Sequence, residues 1–232
     1  MGIYEQLLIP ILEKVSVYIE NTHHMKDILN GTMSKERFVF QIRQNYQYLL
    51  DYTRCWTIGF SKCQNYADME KWYMILKSTM EQTVMINRTY WSKQINVDVN
   101  ELDKVIEAPG KKSYTSFQLM CAGQGDLAST MMALFPCNIL YRYFVEHLLD
   151  KCTLDKNNQY YIWLKFYLSD SYVKKTNDEI NMINDLCADK NQTEINELLN
   201  IFATSCNYEI LQWEYMYHSM TTWPLDEIFV ER

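Results

Sequence analysis

Leu134-Phe135-Pro136-Cys137-Asn138-Ile139-Leu140-Tyr141 is the stretch on which the reading of this chain turns. Proline has no N–H to donate and its ring clashes with the carbonyl four residues back, so an apolar helix reaching Pro136 must restart or kink there. A helix that begins at Pro136 carries Cys137 in its first turn, where unpaired N–H groups and the dipole favour a thiolate. Tyr141 lies one turn further on and projects from the same face. These features suit a nucleophile. They also suit a small cysteine packed into an apolar helix, and spacing alone leaves both readings open.

Helical spacing continues on either side of this stretch. Asp126 offers an N-cap for a helix running through Cys137 to about Lys151, after a break at Gly123-Gln124-Gly125 and a short helix from Ser113 to Cys121. The polar interval before it, Asn96 to Lys112, ends in Ala108-Pro109-Gly110 and predicts a short helix from Asn100 and a turn. Further upstream, an aromatic and methionine-rich helix spans about Ala67 to Gln94, and a long helix capped by Ser34 spans Lys35 to Lys62. One face of the latter carries Phe38, Ile42, Tyr46, Leu49, Thr53 and Trp56, and another carries Gln41, Asn45, Tyr48 and Tyr52. The first helix, marked by Ile11, Leu12, Val15, Tyr18 and Ile19, ends at Asn30-Gly31-Thr32. Downstream, one helix is expected over about Gln159 to Leu186, then a turn at Asp189-Lys190-Asn191. Thr193 is expected to cap a last long helix to about Ser219, with a short tail helix from Pro224. No segment alternates at period two. The pattern predicts an all-α bundle of seven or eight helices, with residues 1–232 as one domain.

Composition narrows the function. Glycine and proline together number ten (6 and 4), too few for a turn-rich β fold. The net charge of −7 argues against nucleic acid or an anionic membrane as partner. Seven cysteines without a Cys-x-x-Cys pair suggest neither a disulfide framework nor a zinc site. The start, Met1-Gly2-Ile3-Tyr4-Glu5-Gln6, has no basic and apolar leader pattern, and Gln6 stands where a myristoylation motif needs Ser or Thr. The mainly apolar run Leu127 to Tyr141 is too short and polar to span a bilayer. The expectation is a soluble, cytoplasmic protein without a membrane partner.

For metals, a di-iron bundle needs two Glu-x-x-His units, and Glu20-Asn21-Thr22-His23 occurs without a second copy. His23 or His24 as a haem ligand has no further support. The tyrosines say more. Tyr48, Tyr114, Tyr141 and Tyr167 lie on apolar helix faces, and a buried phenol needs a partner for its O–H. Several together suit a pocket for a flat polar ligand. Glu209 shares a helix face with Trp213, and a glutamate beside an apolar stripe can have a raised pKa suited to proton transfer. It equally suits a solvated charge at the edge of that stripe.

Taken in order, these pieces resemble the TenA / thiaminase II family, all-α proteins with a haem-oxygenase-like bundle. Gly31-Thr32-Met33-Ser34-Lys35-Glu36-Arg37-Phe38 resembles its Gly-Thr-Leu-Pro-x-x-x-Phe, and Gln44-Asn45-Tyr46-Gln47-Tyr48-Leu49 its Gln-Asp-x-x-Tyr-Leu. Tyr114-Thr115 matches its Tyr-Thr step, and Leu134 to Tyr141 matches Leu-Leu-Pro-Cys-x-x-x-Tyr. Trp163-Leu164-Lys165-Phe166-Tyr167 matches Trp-Ile-x-x-Tyr, and Tyr208-Glu209 with Trp213 matches Tyr-Glu-x-x-Phe-Trp. The likeness covers nearly the whole chain. The cysteine places it with the Cys-type subgroup.

The resemblance implies a hydrolase of thiamin salvage that cleaves thiamin or its aminopyrimidine breakdown products to 4-amino-5-hydroxymethyl-2-methylpyrimidine. It implies Cys137 as nucleophile, Glu209 as proton shuttle, and Asn45, Tyr48, Tyr114, Tyr141 and Tyr167 around the pyrimidine. It implies no metal or organic cofactor, and a homotetramer. Three departures stand out. Asn45 occupies the place of the family's aspartate, Gln212 that of a phenylalanine before Trp213, and Thr22 aligns with the histidine of a missing His-Pro-Phe. Asn45 can accept from an amino group but supplies no negative charge to a protonated ring. The alternative is therefore a catalytically weak pyrimidine- or thiamin-binding protein on the same fold.

Overall fold

The computed structural model describes residues 2–218. Among them it has twelve α-helical segments and no strand. In chain order these are α1 (Ile9–Asn21), α2 (His23–Asn30), α3 (Lys35–Lys62), α4 (Tyr66–Ser78), α5 (Ser92–Gln94) and α6 (Val99–Asp103). Then follow α7 (Pro109–Gln124), α8 (Leu127–Leu134), α9 (Pro136–Leu148), α10 (Gln159–Phe166), α11 (Asp170–Cys187) and α12 (Gln192–His218). A π-helical turn, Tyr4–Leu8, leads into α1. The architecture is a haem-oxygenase-like bundle in which α3, α7, α8 and α12 pack on one another, with α1 and α2 against α12 and α11 against α4, α8 and α9.

The count exceeds seven or eight because local chemistry divides the expected long helices. Thr22 ends α1 and caps α2, its Oγ1 accepting from the Met25 N–H at 3.2 Å. Gly31, at φ 71°, closes α2 in the left-handed conformation that glycine tolerates. The expected helix over 67–94 is α4, two π-helical stretches (Thr79–Val84 and Asn87–Trp91) and α5. The wider π turns shift the face presented afterwards, and Ile86, Asn87 and Trp91 come to border the cavity described below. The expected helix over 159–186 breaks between α10 and α11, where Ser169 takes an extended N-cap backbone. Asn191, not Thr193, caps α12. Its Oδ1 accepts from the Thr193 and Glu194 N–H groups at 2.9 and 3.1 Å, while its own N–H donates to Glu194 Oε2. Helix α7 begins earlier than expected, at Pro109, where a missing N–H does no harm. Ser34 and Asp126 cap α3 and α8 as their positions suggested. Ser219 and the tail helix from Pro224 lie outside the described residues.

Helices α3 and α4 approach closely at a glycine. A Cβ on Gly59 would lie 2.1 Å from Trp72 Cζ2, so only hydrogen leaves room for that ring, whose Nε1 donates to the Trp56 carbonyl at 2.6 Å. Trp56, Trp72 and Trp213 are fully buried with Phe38, Phe135, Phe144 and Phe202, and they form the main mass of the core. His24 is buried beside Trp213, 5.3 Å between ring centroids. Burial lowers its pKa to about 4, so it is neutral. No described helix is long and apolar enough to cross a membrane.

Candidate functional site

The site is built around Pro136. Because proline donates nothing, the helical ladder is interrupted between α8 and α9, and side chains from three other helices take up carbonyls of the broken turn. Gln118 of α7 and Ser205 of α12 both donate to the Ala133 carbonyl, at 3.2 and 2.7 Å. Tyr52 of α3 donates to the Leu134 carbonyl at 3.2 Å. The interruption thereby fixes α3, α7 and α12 around the first turn of α9.

A cavity opens beside that turn. Asn45 and Tyr48 of α3, Cys137 and Tyr141 of α9, and Tyr167 after α10 line it together. Two aromatic stacks flank it. Tyr48 lies between Tyr52 and Tyr114 (5.6 and 5.4 Å between centroids), and Tyr141 stacks on Tyr167 at 4.8 Å. Hydrogen bonds orient several of these hydroxyls. Trp213 Nε1 donates to Tyr141 Oη at 2.8 Å. Gln118 donates to Tyr48 Oη at 3.0 Å, which leaves the Tyr48 proton free to point at the Cys137 sulfur. Tyr114 does not border the cavity. It sits behind Tyr48, and since the Ser205 hydroxyl already donates to Ala133, Tyr114 donates to Ser205 at 2.8 Å.

Glu209 lies behind the cavity wall on α12, fully buried, and among the described residues no donor lies within ordinary hydrogen-bond distance of its Oε1. Burial raises its pKa, while the Lys111 ammonium and the facing Tyr114, Gln212 and Tyr141 groups pull it back. The Cys137 thiol is pushed well up, first by burial and then by the Glu209 charge beside it. The helix start at Pro136 therefore does not produce the thiolate its dipole favours. Desolvation and a neighbouring carboxylate outweigh the dipole, which is worth only about 0.3–1 kcal/mol at a helix end. Both effects favour the neutral Cys137 thiol.

Several lining groups escaped the sequence reading. Lys111 is buried, with Nζ 4.3 Å from the Tyr48 ring centroid and donating to Gln212 Oε1. Gln212 in turn donates to Glu209 Oε2. Asn138 donates to Tyr52 Oη at 2.8 Å and to Glu179 Oε1 at 2.6 Å, and it accepts from Tyr172. Glu179 faces Lys175 across 4.0 Å in a buried pair. Trp163, Phe166 and Tyr172 complete the aromatic wall. A lysine after Pro-Gly and an asparagine after a cysteine carry no pattern that marks them as buried.

Among the described residues, the group able to ligate a metal is His23, Glu214 and His218, whose ligand atoms lie within 4.8 Å of one another. It does not border the cavity, and Glu20 is not part of it, pairing instead with Lys151 at 2.5 Å.

Comparison with known proteins adds the context. The TENA/THI-4/PQQC family profile matches residues 12–219. An aminopyrimidine aminohydrolase of Helicobacter pylori is 26% identical over 195 residues, 84% of this chain and 89% of that protein. A TenA homologue from P. horikoshii OT3 superposes with a TM-score of 0.81 at 22% identity, covering 94% of this chain and 99% of that one. A domain of unknown function with a haem-oxygenase-like fold from Shewanella denitrificans OS217 superposes at 0.70 with 10% identity, covering 94% and 95%.

Proposed function

The chain belongs to the TENA/THI-4/PQQC family, and from that premise we propose that it hydrolyses aminopyrimidine breakdown products of thiamin through a cysteine adduct. The observation that carries the proposal is the gathering of Cys137 with Asn45, Tyr48, Tyr141 and Tyr167 around one cavity, with the buried Glu209 carboxyl behind its wall acting on the thiol. A thiol beside a carboxylate needs no outside base. Glu209 takes the Cys137 proton as sulfur adds to the pyrimidine ring, and the electron-rich ring then expels the amine on its exocyclic methylene. The same proton passes from Glu209 to the departing amine. Water adds at the vacated carbon and gives a proton to Glu209, and that proton returns to the thiolate as the carbon–sulfur bond breaks. Tyr48, with its proton directed at the sulfur, stabilises negative charge there. Tyr141 and Tyr167 hold the ring as a stacked wall, Asn45 bonds its polar edge, and Tyr114 acts from behind as the support of Tyr48.

The relative from Helicobacter pylori named an aminopyrimidine aminohydrolase supports the reaction class. The second reading, a pyrimidine-binding protein with little turnover, is favoured by one observation, the uncharged Asn45 at the cavity wall. Incubation with aminomethyl-pyrimidine separates the two. Hydrolysis gives hydroxymethyl-pyrimidine and ammonia in equal amounts, with oxygen from heavy-oxygen water in the new hydroxyl. Saturable binding with no product would overturn the enzyme reading.

A further inference from the structure

Lys111 is a costly residue to find at the cavity wall. A lysine is seldom fully buried unless paired, yet this one is 3% exposed and makes no salt bridge to a carboxylate among the described residues. Its ammonium instead donates to Gln212 Oε1, and the Gln212 amide donates to Glu209 Oε2. Its other flank faces the Tyr48 ring at 4.3 Å. The contacts form an unbroken chain from the cavity wall on α7, through the side chain that replaces phenylalanine on α12, to the buried carboxyl. A phenylalanine at position 212 could pass on neither bond. Gln212 has one acceptor and one donor end, and the ammonium occupies the acceptor. The donor end is therefore aimed at the carboxyl.

We propose that Lys111 is a positioning residue for proton transfer, holding Glu209 through Gln212 as an oriented carboxylate ready to receive the Cys137 proton. The inference rests on the reading of Glu209 as the proton carrier. The surroundings of Glu209 single out Lys111. The Glu209 charge acts on the phenols of Tyr48, Tyr114, Tyr141, Tyr167 and Tyr172 and the thiol of Cys137, from α3, α7, α9, the turn after α10 and α11, and on the thiol of Cys206 from its own helix. All of these have raised pKa values and stay neutral where a carboxyl titrates. Helix α8 carries no titratable residue, and His24 of α2 is neutral above about pH 4. Lys111 is the leading charge that favours the ionised carboxyl, acting against burial.

The test reads Glu209 directly, by carbon-13 carboxyl NMR of glutamate-labelled full-length protein titrated with acid, the signal assigned through Glu209→Gln. Lys111→Met is expected to raise the Glu209 midpoint by about one pH unit or more, since a nearby opposite charge lowers a carboxyl pKa by about 1–3 units. The acid limb of kcat/KM should move by the same amount. Lys111→Arg, which keeps the charge, should restore both. If Lys111→Met fails to fold, Gln212→Leu carries the test, because it breaks the bridge without adding a charge and should also raise the midpoint. An unmoved midpoint in the folded variants overturns the inference, even if turnover falls. A moved midpoint in a protein that turns over no aminopyrimidine leaves Lys111's hold on Glu209 intact and overturns the proposed reaction instead.

Discussion

At position 45 an amide lines the cavity where the family pattern has a carboxylate, and the difference is one of charge rather than shape. A carboxylate pairs with a protonated ring through a charge-assisted bond about twice as strong as a neutral one. Asparagine turns an N–H toward a ring nitrogen that, once protonated, is itself a donor. One mismatch of this kind in a dry pocket costs about 1–3 kcal/mol, or about ten- to a hundredfold in rate. Asn45→Asp is therefore expected to raise kcat/KM on aminomethyl-pyrimidine by about tenfold or more. A slower aspartate variant on both aminomethyl-pyrimidine and thiamin would mean that Asn45 serves a ligand with a different hydrogen-bond pattern. His24 gives a second residue-level prediction, this one of stability. Its folded pKa, about 4, lies below its ordinary 6.5, so its contribution is fully present above pH 6.5 and is lost as pH falls toward 4. The unfolded chain takes up a proton in that window and the folded one does not. The loss amounts to about 3 kcal/mol at 1.36 kcal/mol per pH unit. Denaturant unfolding of His24→Leu between pH 7 and 4 should lack that share of the slope, and a slope equal to the wild type's would contradict the assignment.

At the scale of elements, α3 and α4 approach closely at a single glycine, Gly59. Gly59→Ala would drive a methyl into Trp72, a ring anchored by its own hydrogen bond to the Trp56 carbonyl. Overpacking of this kind costs about 1–3 kcal/mol, and thermal unfolding should show it as a lowered midpoint with unchanged helix content. An equally stable variant would mean that α4 shifts freely. The elements also show what was legible in the sequence. Helix type was, because apolar residues recur at three- and four-residue steps throughout α3 and α12. Helix ends were legible where one side chain caps one turn, as at Ser34 and Asp126. Breaks inside periodic segments were not. Thr22 and Ser169 interrupt helices without disturbing the apolar pattern, and Asn191 outcompetes Thr193 through a reciprocal bond with Glu194 that only the folded turn displays. Within the site, the Pro-Cys step and the helical tyrosines pointed to one place, and the structure brings Asn45, Tyr48, Cys137, Tyr141 and Tyr167 to a single cavity. Lys111 stayed hidden because a lysine after Pro-Gly reads as solvated, and its burial depends on Gln212 about a hundred residues on.

The molecule as a whole leaves several large side chains on its surface, including Tyr66 at 76%, Val17 at 62% and Leu211 at 60% exposed, with Tyr73 and Met74 beside Tyr66 on α4. Exposed apolar side chains are compatible with association, and light scattering tests the homotetramer that the family resemblance implies; a monomer at micromolar concentration would contradict that expectation. The proposed catalysis depends on five elements meeting, since α3, α7, α9, α12 and the turn after α10 each contribute a group around Cys137. All of these groups serve one step, formation of a bond between the Cys137 sulfur and the substrate. The most direct measurement is the rate of hydroxymethyl-pyrimidine release by wild-type protein and by Cys137→Ser, side by side, with helix content and thermal midpoint recorded for both. The serine variant is expected to fold as the wild type does, because the two side chains are close in size, and to lose about a thousandfold or more of kcat, because a neutral hydroxyl is a far weaker nucleophile than a thiolate. A folded serine variant that releases product at the wild-type rate would contradict it.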